Sequence, residues 1–387
     1  MTEAWQHLRL GEIAAIERSI VAAEAIDSGT SYVGLEHIQA GGEAVTPVRV
    51  ANGDLASSKF RFSEHHILYG KLRPYLAKIA SPSFPGVCST DILPILPGPQ
   101  VNRRFLLHFL RQPSMVAYAN SRASGANLPR LSPSDLAQFE VPLPPVASQR
   151  RIAAVLDQAE ALRAKRRAAV AKLDTLTQAI FLEMFGDPVT KPTQWRASTV
   201  GEELTFQQYG PRFYNVPYSD DGVRIVRITD LSESGELDFG AMPRMAVGTD
   251  DFAKYALRPG DIIFARSGAT VGKIAQIRAG DPPCIAGAYF ITMRFAANLD
   301  PLYARFVLTA PSVREIVTRR SRQAAQQNFS GPGLRKLPMP LPPIALQREF
   351  ARRVAAVEAL KAAHRASLAQ MDALFASLQH RAFRGEL

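Results

Sequence analysis

Cysteine is nearly absent. The 387 residues contain two, Cys88 and Cys284, too few for a disulfide framework, and no Cys-x-x-Cys pair is present to hold zinc. No run of eighteen apolar residues occurs, so no membrane-spanning helix is expected. The opening Met1-Thr2-Glu3-Ala4-Trp5-Gln6-His7 has neither the basic start nor the apolar centre of a secretory signal. No Gly-x-x-x-x-Gly-Lys-Ser/Thr string is found, which argues against a P-loop nucleotide site. A cytoplasmic protein without membrane contact is the expectation. Acidic residues are in the minority, 35 against 46 Lys and Arg, for a net charge of +11. That excess suggests a polyanionic partner, nucleic acid first, although a solvated basic face would leave the same mark. With 47% hydrophobic and 21% charged residues the chain can bury a large core, and its length points to two or three domains.

The chain is a duplication. Val141-Pro142-Leu143-Pro144-Pro145-Val146-Ala147-Ser148-Gln149-Arg150 returns 198 positions later as Met339-Pro340-Leu341-Pro342-Pro343-Ile344-Ala345-Leu346-Gln347-Arg348. Ile67-Leu68-Tyr69-Gly70-Lys71 and Lys78-Ile79-Ala80 return 195 positions later as Ile262-Ile263-Phe264-Ala265-Arg266 and Lys273-Ile274-Ala275. Pro113-Ser114 matches Pro311-Ser312, and Gly11-Glu12 matches Gly201-Glu202. Four matched blocks in one order are not readily a coincidence, and the drifting offset is what loop insertions produce. Cys88 and Cys284 are expected at equivalent buried positions of the repeat.

Each half opens with a mixed region of short β-like runs, such as Tyr32-Val33-Gly34-Leu35 and Val223 to Ile228, and short helical stretches, such as Arg103 to Leu110 and Leu302 to Leu308. Strands and helices do not alternate regularly, so the class is α+β. A Leu-Pro-Pro turn then bars a helix upstream and permits one after it. The first long helix carries a heptad seam through Ile152, Val155, Ala159, Leu162, Arg166, Ala169, Leu173, Leu176 and Ile180. The second carries Phe350, Arg353 (or Val354 beside it), Val357, Leu360, His364, Ser367, Met371, Leu374 and Leu378. Each alanine-rich helix needs a cover for its stripe, and its own duplicate is the nearest candidate. Both seams weaken at the centre, and the intervening mixed region favours antiparallel pairing. The expected fold is α+β: two duplicated domains separated by two long helices that pair as an antiparallel coiled coil, with pseudo-twofold symmetry. The expected boundaries are 1–145, 146–187, 188–343 and 344–387.

Candidate catalytic motifs are weak. Asp281-Pro282-Pro283-Cys284 resembles the Asp-Pro-Pro-Tyr motif of amino-methyltransferases, but Cys replaces the base-stacking aromatic and no Gly-rich cofactor loop lies upstream. A proline turn is the better reading. Asp261 follows Pro259-Gly260 as in nuclease motifs, yet Arg266 stands where a catalytic Lys is wanted, so this reads as a turn entering a strand. His65 and His66 would face opposite sides of a strand and make a poor metal pair; no metal site is expected.

Several strings together resemble the specificity (S) subunits of type I restriction-modification systems: Leu143-Pro144-Pro145-x-x-x-Gln149-Arg150-Arg151-Ile152, Ile180-Phe181-x-x-Met184-Phe185-Gly186-Asp187-Pro188, Leu341-Pro342-Pro343-x-x-x-Gln347-Arg348, and Leu374-Phe375-x-x-Leu378-x-x-Arg381-Ala382-Phe383-Arg384-Gly385-Glu386-Leu387. The resemblance covers essentially the whole chain. It implies that each mixed region is a target recognition domain reading half of a split, asymmetric sequence in double-stranded DNA. It implies that the helices hold the readers apart and dock two modification subunits, which methylate adenine N6 with S-adenosylmethionine. A separate restriction subunit would use ATP and Mg, and this chain would have no cofactor or catalytic centre. The acidic residue usual before the Gln is Ser148 in one copy and Leu346 in the other. The competing readings are a DNA-binding regulator without methylase partners and a methyltransferase with its own cofactor site.

Base recognition needs Arg or Lys against guanine and Asn or Gln against adenine, and phosphate contact needs basic or hydroxyl groups. In the first half the candidates are Lys71, Arg73, Tyr75, Lys78, Arg122, Ser124, Asn127 and Arg130. In the second they are Gln207, Gln208, Tyr209, Arg212, Tyr214, Arg266, Ser267, Thr270 and Lys273, followed by Arg319, Arg320, Arg322, Gln326, Gln327 and Asn328. Ser124 to Leu128 resembles the family's polar loop before the Leu-Pro-Pro turn, and Gln326 to Gly331 occupies the same place in the second half. Lys and Arg are weighed first as phosphate contacts, the commoner kind.

Overall fold

The apolar runs Ile67-Leu68-Tyr69 and Ile262-Ile263-Phe264 form strands covered on both faces, which is why they show no polar alternation. The computed structural model describes residues 5–42, 45–51, 53–190, 195–213, 216–232, 235–321 and 328–387. They fall into two units, Met1–Ala168 with Ala366–Leu387, and Ala169–Arg365, so the unit boundary passes through both long helices. The principal helices are α1 (Arg103–Leu110), α2 (Pro113–Arg122), α3 (Val146–Phe185), α4 (Pro301–Thr309), α5 (Pro311–Ser321) and α6 (Ile344–Ala382). The strands shared by the two units are β1 (Ala14–Ile16), β2 (Ser31–Val33), β3 (Ile67–Gly70), β4 (Ile79–Ala80), β5 (Gly86–Cys88) and β6 (Ile92–Pro97), then β7 (Leu204–Tyr209), β8 (Val223–Val226), β9 (Ile262–Ala265), β10 (Ile274–Gln276), β11 (Cys284–Ala286) and β12 (Phe290–Phe295).

In the first unit an antiparallel sheet runs β1-β6-β3-β4. Period-two alternation sends Ile67, Tyr69, Leu93 and Ile95 to the face that packs on α1 and the ends of α3 and α6, where Phe105, Phe109, Ile152, Leu156 and Ala382 are buried. Leu68, Ala80 and Ile92 face the other way, onto Val33, Phe60, Phe62 and Cys88. The second unit repeats the order as β7-β12-β9-β10. Ile262 and Phe264 face α4, Phe181 and Phe350, while Ile263 and Ala265 face Val226 and Ala286. A parallel pair recurs as well, β2 with β5 and β8 with β11. Among the described residues the sheet edges diverge. Strand Lys59–Phe62 lines β5 in the first unit, where the second has helix Thr249–Tyr255 and a single bridge from Ala256 to Ile285. The α+β class and the duplication read from the sequence both hold.

The cysteines are not equivalent. Ser89 N–H donates to Val33 O as Gly287 N–H donates to Val226 O. These bonds place Cys284 at the position of Gly86, two residues from that of Cys88. Both thiols are buried, and burial pushes each up to about 12, so both stay protonated.

Each long helix is tied to its own module by one buried glutamine. Gln149 Nε2 donates to Pro144 O and Gln100 O at 2.8 and 3.0 Å, and its Oε1 accepts from Asn102 N–H at 2.7 Å. Gln347 makes the same three bonds, to Pro342 O, Asn298 O and Asp300 N–H, at 2.8, 3.1 and 2.7 Å. Asn102 and Asp300 in turn cap α1 and α4. The Leu-Pro-Pro-x-x-x-Gln string is therefore a hinge lock: prolines stop the strand, and the glutamine satisfies two backbone carbonyls and one amide that the turn would leave unpaired.

Within each unit α3 and α6 run antiparallel. In the first, Arg151 donates to Leu387 O at 2.7 Å and Arg163 to Asp372 at 2.6 Å. In the second, Lys361 meets Asp174 at 2.5 Å, and Phe350 packs on Phe181 and Phe185. The seam itself needs correction. Ile152, Phe350 and Val357 are buried, and Ala159, Arg166, Ala169, Leu173, Ile180, His364, Ser367, Met371 and Leu378 are half-buried. Val155, Leu162, Leu176, Leu360 and Leu374 are exposed, Leu162 at 48% and Leu374 at 58%. Burial follows the adjoining stripe, through Leu156, Thr177 and Phe181 on α3 and Val354 and Lys361 on α6. Steps of three and four fit two neighbouring stripes of an alanine-rich helix, and the longer Phe, Arg and Lys side chains claim the covered one.

Candidate nucleic-acid interface

A few of the polar candidates, Lys71 with Arg130 and Arg266 with Asn328, meet at one corner of each module, where the end of a central strand, the start of the next and the approach to the Leu-Pro-Pro turn come together. In the first unit Lys71 N–H donates to Asp91 O at 2.9 Å, and Leu131 N–H donates back to Lys71 O at 3.0 Å. Leu72 bridges Arg130, which also closes a loop onto Ser124. Gly125 takes φ +111° there, with a Cβ position 3.0 Å from Leu128 O, so only glycine fits without strain. The exposed Arg130 guanidinium donates to both Asp91 carboxylate oxygens, at 3.0 and 3.4 Å. Next to it, Arg73 (φ 51°) and Ala77 (φ 48°) are left-handed, an uncommon state for side-chain-bearing residues, and between them Tyr75 is 52% exposed.

The second unit builds the same frame with other side chains. Arg266 N–H donates to Tyr289 O at 2.9 Å, Phe329 N–H to Arg266 O at 2.7 Å, and Ser267 bridges Asn328. The Arg266 guanidinium lies 4.7 Å from the Tyr209 ring centre and donates to Asn328 Oδ1 at 3.2 Å. Tyr209 Oη accepts from Gly331 N–H at 2.9 Å. A cleft of about 910 Å³ opens here, lined among others by Arg212, Tyr218, Arg266, Ser267, Tyr289 and Asn328. Tyr218 and Tyr289 are 60% and 62% exposed. Sequence reasoning missed both of them and Asp91; laying one half on the other would have placed Tyr289 at Asp91's position.

Other candidates lie apart. Lys78 spends its ammonium on Leu35 O at 2.6 Å. Lys273 lines a separate hollow of about 640 Å³ with Arg305 and Arg314. Thr270 donates to Ser267 O, and Gln207 accepts from Arg335 at 3.4 Å; Gln208 is half-buried on β7. Arg122 stacks on Tyr118 at 5.2 Å, and Ser124 and Asn127 are exposed. Arg319 pairs with Glu315 on α5, and Arg320 is exposed beside it. Tyr214, Arg322, Gln326 and Gln327 lie outside the described residues.

The motifs set aside as turns have turn geometry. Asp281 accepts from Arg278 N–H at 2.7 Å. Asp261, fully buried, accepts from Arg258 N–H at 2.8 Å and from the Arg294 fork at 2.7 and 2.8 Å. His66 occupies Asp261's position in the first unit: its Nδ1 accepts from Ser63 N–H at 3.0 Å, and its Nε2 lies 3.0 Å from Glu17. His108, Asp157 and Glu160 cluster closely enough to suggest metal ligands. Arg104 and Arg111 already occupy the carboxylates, however, with Arg111 2.6 Å from Glu160. Burial acts to raise the Asp157 pKa, but hydrogen bonds from His108 and Arg104 outweigh it and hold the group at about 2. The cluster is an ion-paired dock for α3. Among the described residues no helix is long and apolar enough to cross a membrane.

Residues 2–172 match the family model of the type I restriction modification DNA specificity domain. Over that first part the chain is similar to the type I specificity family. It is 28% identical over 198 residues to the EcoDI specificity subunit of Escherichia coli, covering 50% of this chain and 44% of that protein. It is 26% identical over 318 residues to the EcoBI specificity subunit of the same species, covering 74% and 66%. The chain thus spans less than two thirds of these curated relatives. A solved chain from work on complex assembly and conformational transition of the type I R-M system shares the fold, with a TM-score of 0.65 at 22% identity, covering 99% of this chain and 98% of that one.

Proposed function

We propose that this chain is the DNA-reading subunit of a type I restriction-modification complex. Each unit reads one half of a bipartite, asymmetric target in double-stranded DNA. Helices α3 and α6 set the spacing and dock two adenine-N6 methyltransferase subunits, for which the exposed Val155, Leu162, Leu176, Leu360 and Leu374 are suited. S-adenosylmethionine belongs to those subunits, and ATP with Mg to a separate restriction subunit. The chain itself supplies recognition without catalysis, and works in the cytoplasm, where the DNA is.

One observation carries this reading: the same exposed corner is built twice, on one backbone frame, with different hydrogen-bonding side chains. A regulator reading a single site has no use for two such corners. A methyltransferase needs a cofactor loop that the sequence does not offer.

The test is an exchange of residues 1–140 for the same region of a relative, followed by genome-wide mapping of methylated adenine in cells that supply the partner subunits. One half of the methylated sequence should change, with the other half and the gap retained. Change in both halves, or no methylation dependent on this chain, would overturn the reading.

A further inference from the structure

We infer that two positions in each unit read bases, Asp91 and Arg130 in the first and Tyr289 and Asn328 in the second, while Lys71 and Arg266 serve as a shared phosphate anchor. This rests on the DNA-reading function proposed above.

The two corners share one backbone frame. Backbone bonds fix Asp91 and Tyr289 at the same point, as partners of Lys71 and Arg266, and bridges fix Arg130 and Asn328 at the same point. The buried neighbours keep their apolar character: Leu131 and Phe329, Ile92 and Phe290. Fold stability therefore acts alike on the buried part of both corners, and the divergence falls on side chains that reach solvent at least in part.

Phosphate chemistry is the same along any DNA, so a position that grips phosphate should carry the same chemistry twice. Position 71/266 does: it is Lys in one unit and Arg in the other. The other two positions change class altogether, from carboxylate to phenol and from guanidinium to amide. Such a change suits groups facing different base edges.

The local geometry fits that division. Asp91 holds the Arg130 fork from one side and Leu128 O accepts from its Nη1 at 3.4 Å, which orients a planar donor that would otherwise sample many rotamers and leaves the N–H groups given to neither for guanine O6 and N7. In the second unit Asn328 gives its carbonyl to Arg266 and keeps its amide N–H for an adenine N7, and the exposed Tyr289 ring offers a face to a thymine methyl group. The first half-site should accordingly depend on a G·C pair and the second on an A·T pair.

The test uses the full chain and a pool of random duplexes, with bound DNA sequenced. Installing the first unit's pair in the second, as Tyr289→Asp with Asn328→Arg, should shift the second half-site from A·T towards G·C at one or two positions. Discrimination there should reverse by about tenfold or more, and the first half-site should be unaltered. The reciprocal Asp91→Tyr with Arg130→Asn should alter the first half only. Lys71→Ala should weaken binding to all duplexes alike and lower the salt dependence by about one counterion. Unchanged base preference in both exchanged pairs, or altered preference in Lys71→Ala alone, would overturn the assignment. A native chain that enriches no sequence would instead sink the function on which it rests.

Discussion

In the first unit Arg104 and His108 of α1, and Arg111 just after it, face Asp157 and Glu160 of α3. In the second unit the same positions, counted from the matched glutamines, are Leu302, Phe306 and Thr309 on α4 and Ala355 and Glu358 on α6. There Phe306 packs edge-on against Phe350 at 4.9 Å and stacks on Phe181 at 5.8 Å. At these positions the helices dock by charge in the first unit and by aromatic rings in the second, while elsewhere in the first unit Phe383 still packs on Phe105 and Phe109. The glutamine lock beside it is the same in both, with partner distances that agree within 0.1 Å. The difference teaches which contact sets geometry and which only supplies cohesion. A buried carbonyl must be satisfied at one angle, whereas a covered face tolerates any filling that packs or pairs.

Three experiments press on this comparison. The largest effect is expected from Phe350→Ala, which empties the centre of the aromatic dock and should cost about 3–5 kcal/mol. Local hydrogen exchange should show the loss in the second unit and not in the first. Gln149→Ala and Gln347→Ala should each cost about 2–3 kcal/mol, since three buried backbone groups lose a partner. Near-equal losses in denaturant titrations would support one shared lock, and a clear inequality would break it.

The smallest effect belongs to the ionic dock, where Asp157→Asn should cost about 1–2 kcal/mol. Asp157 is depressed from 3.8 to about 2. Its contribution is therefore complete above about pH 4 and fades as pH falls towards 2. Exchange in α1 should rise over that window in the native chain, and the Asp157→Asn variant should lack this component. The second unit has Ala355 at that position and should not follow.

Much of this was legible in the residues. The repeated Leu-Pro-Pro blocks announced the duplication, and prolines marked where both long helices begin. The two-sided burial of β3 and β9 could be read from their lack of alternation. The helix seam was read one stripe away, because leucine at three-and-four spacing marks an apolar face without saying what covers it. Leu162 and Leu374 remain exposed, while Arg163, Phe181 and Lys361 take the covered side. Among the interface candidates, Lys71 meets Arg130 in the first unit and Arg266 meets Asn328 in the second, but Lys78 and Lys273 are drawn elsewhere. A basic residue in a sequence has no address until a carbonyl or carboxylate claims it.

Repetition, helix starts, strand interiors and the positive charge excess follow from composition and spacing alone, because each depends on local backbone limits or on summed charge. The pairing of Asp91 with Arg130, the stacking of Arg266 on Tyr209 and the place of Tyr289 beside them were decided only by the fold. Those residues lie tens of positions apart, and no local preference relates them until strand register and a loop closure bring their backbones within hydrogen-bonding reach.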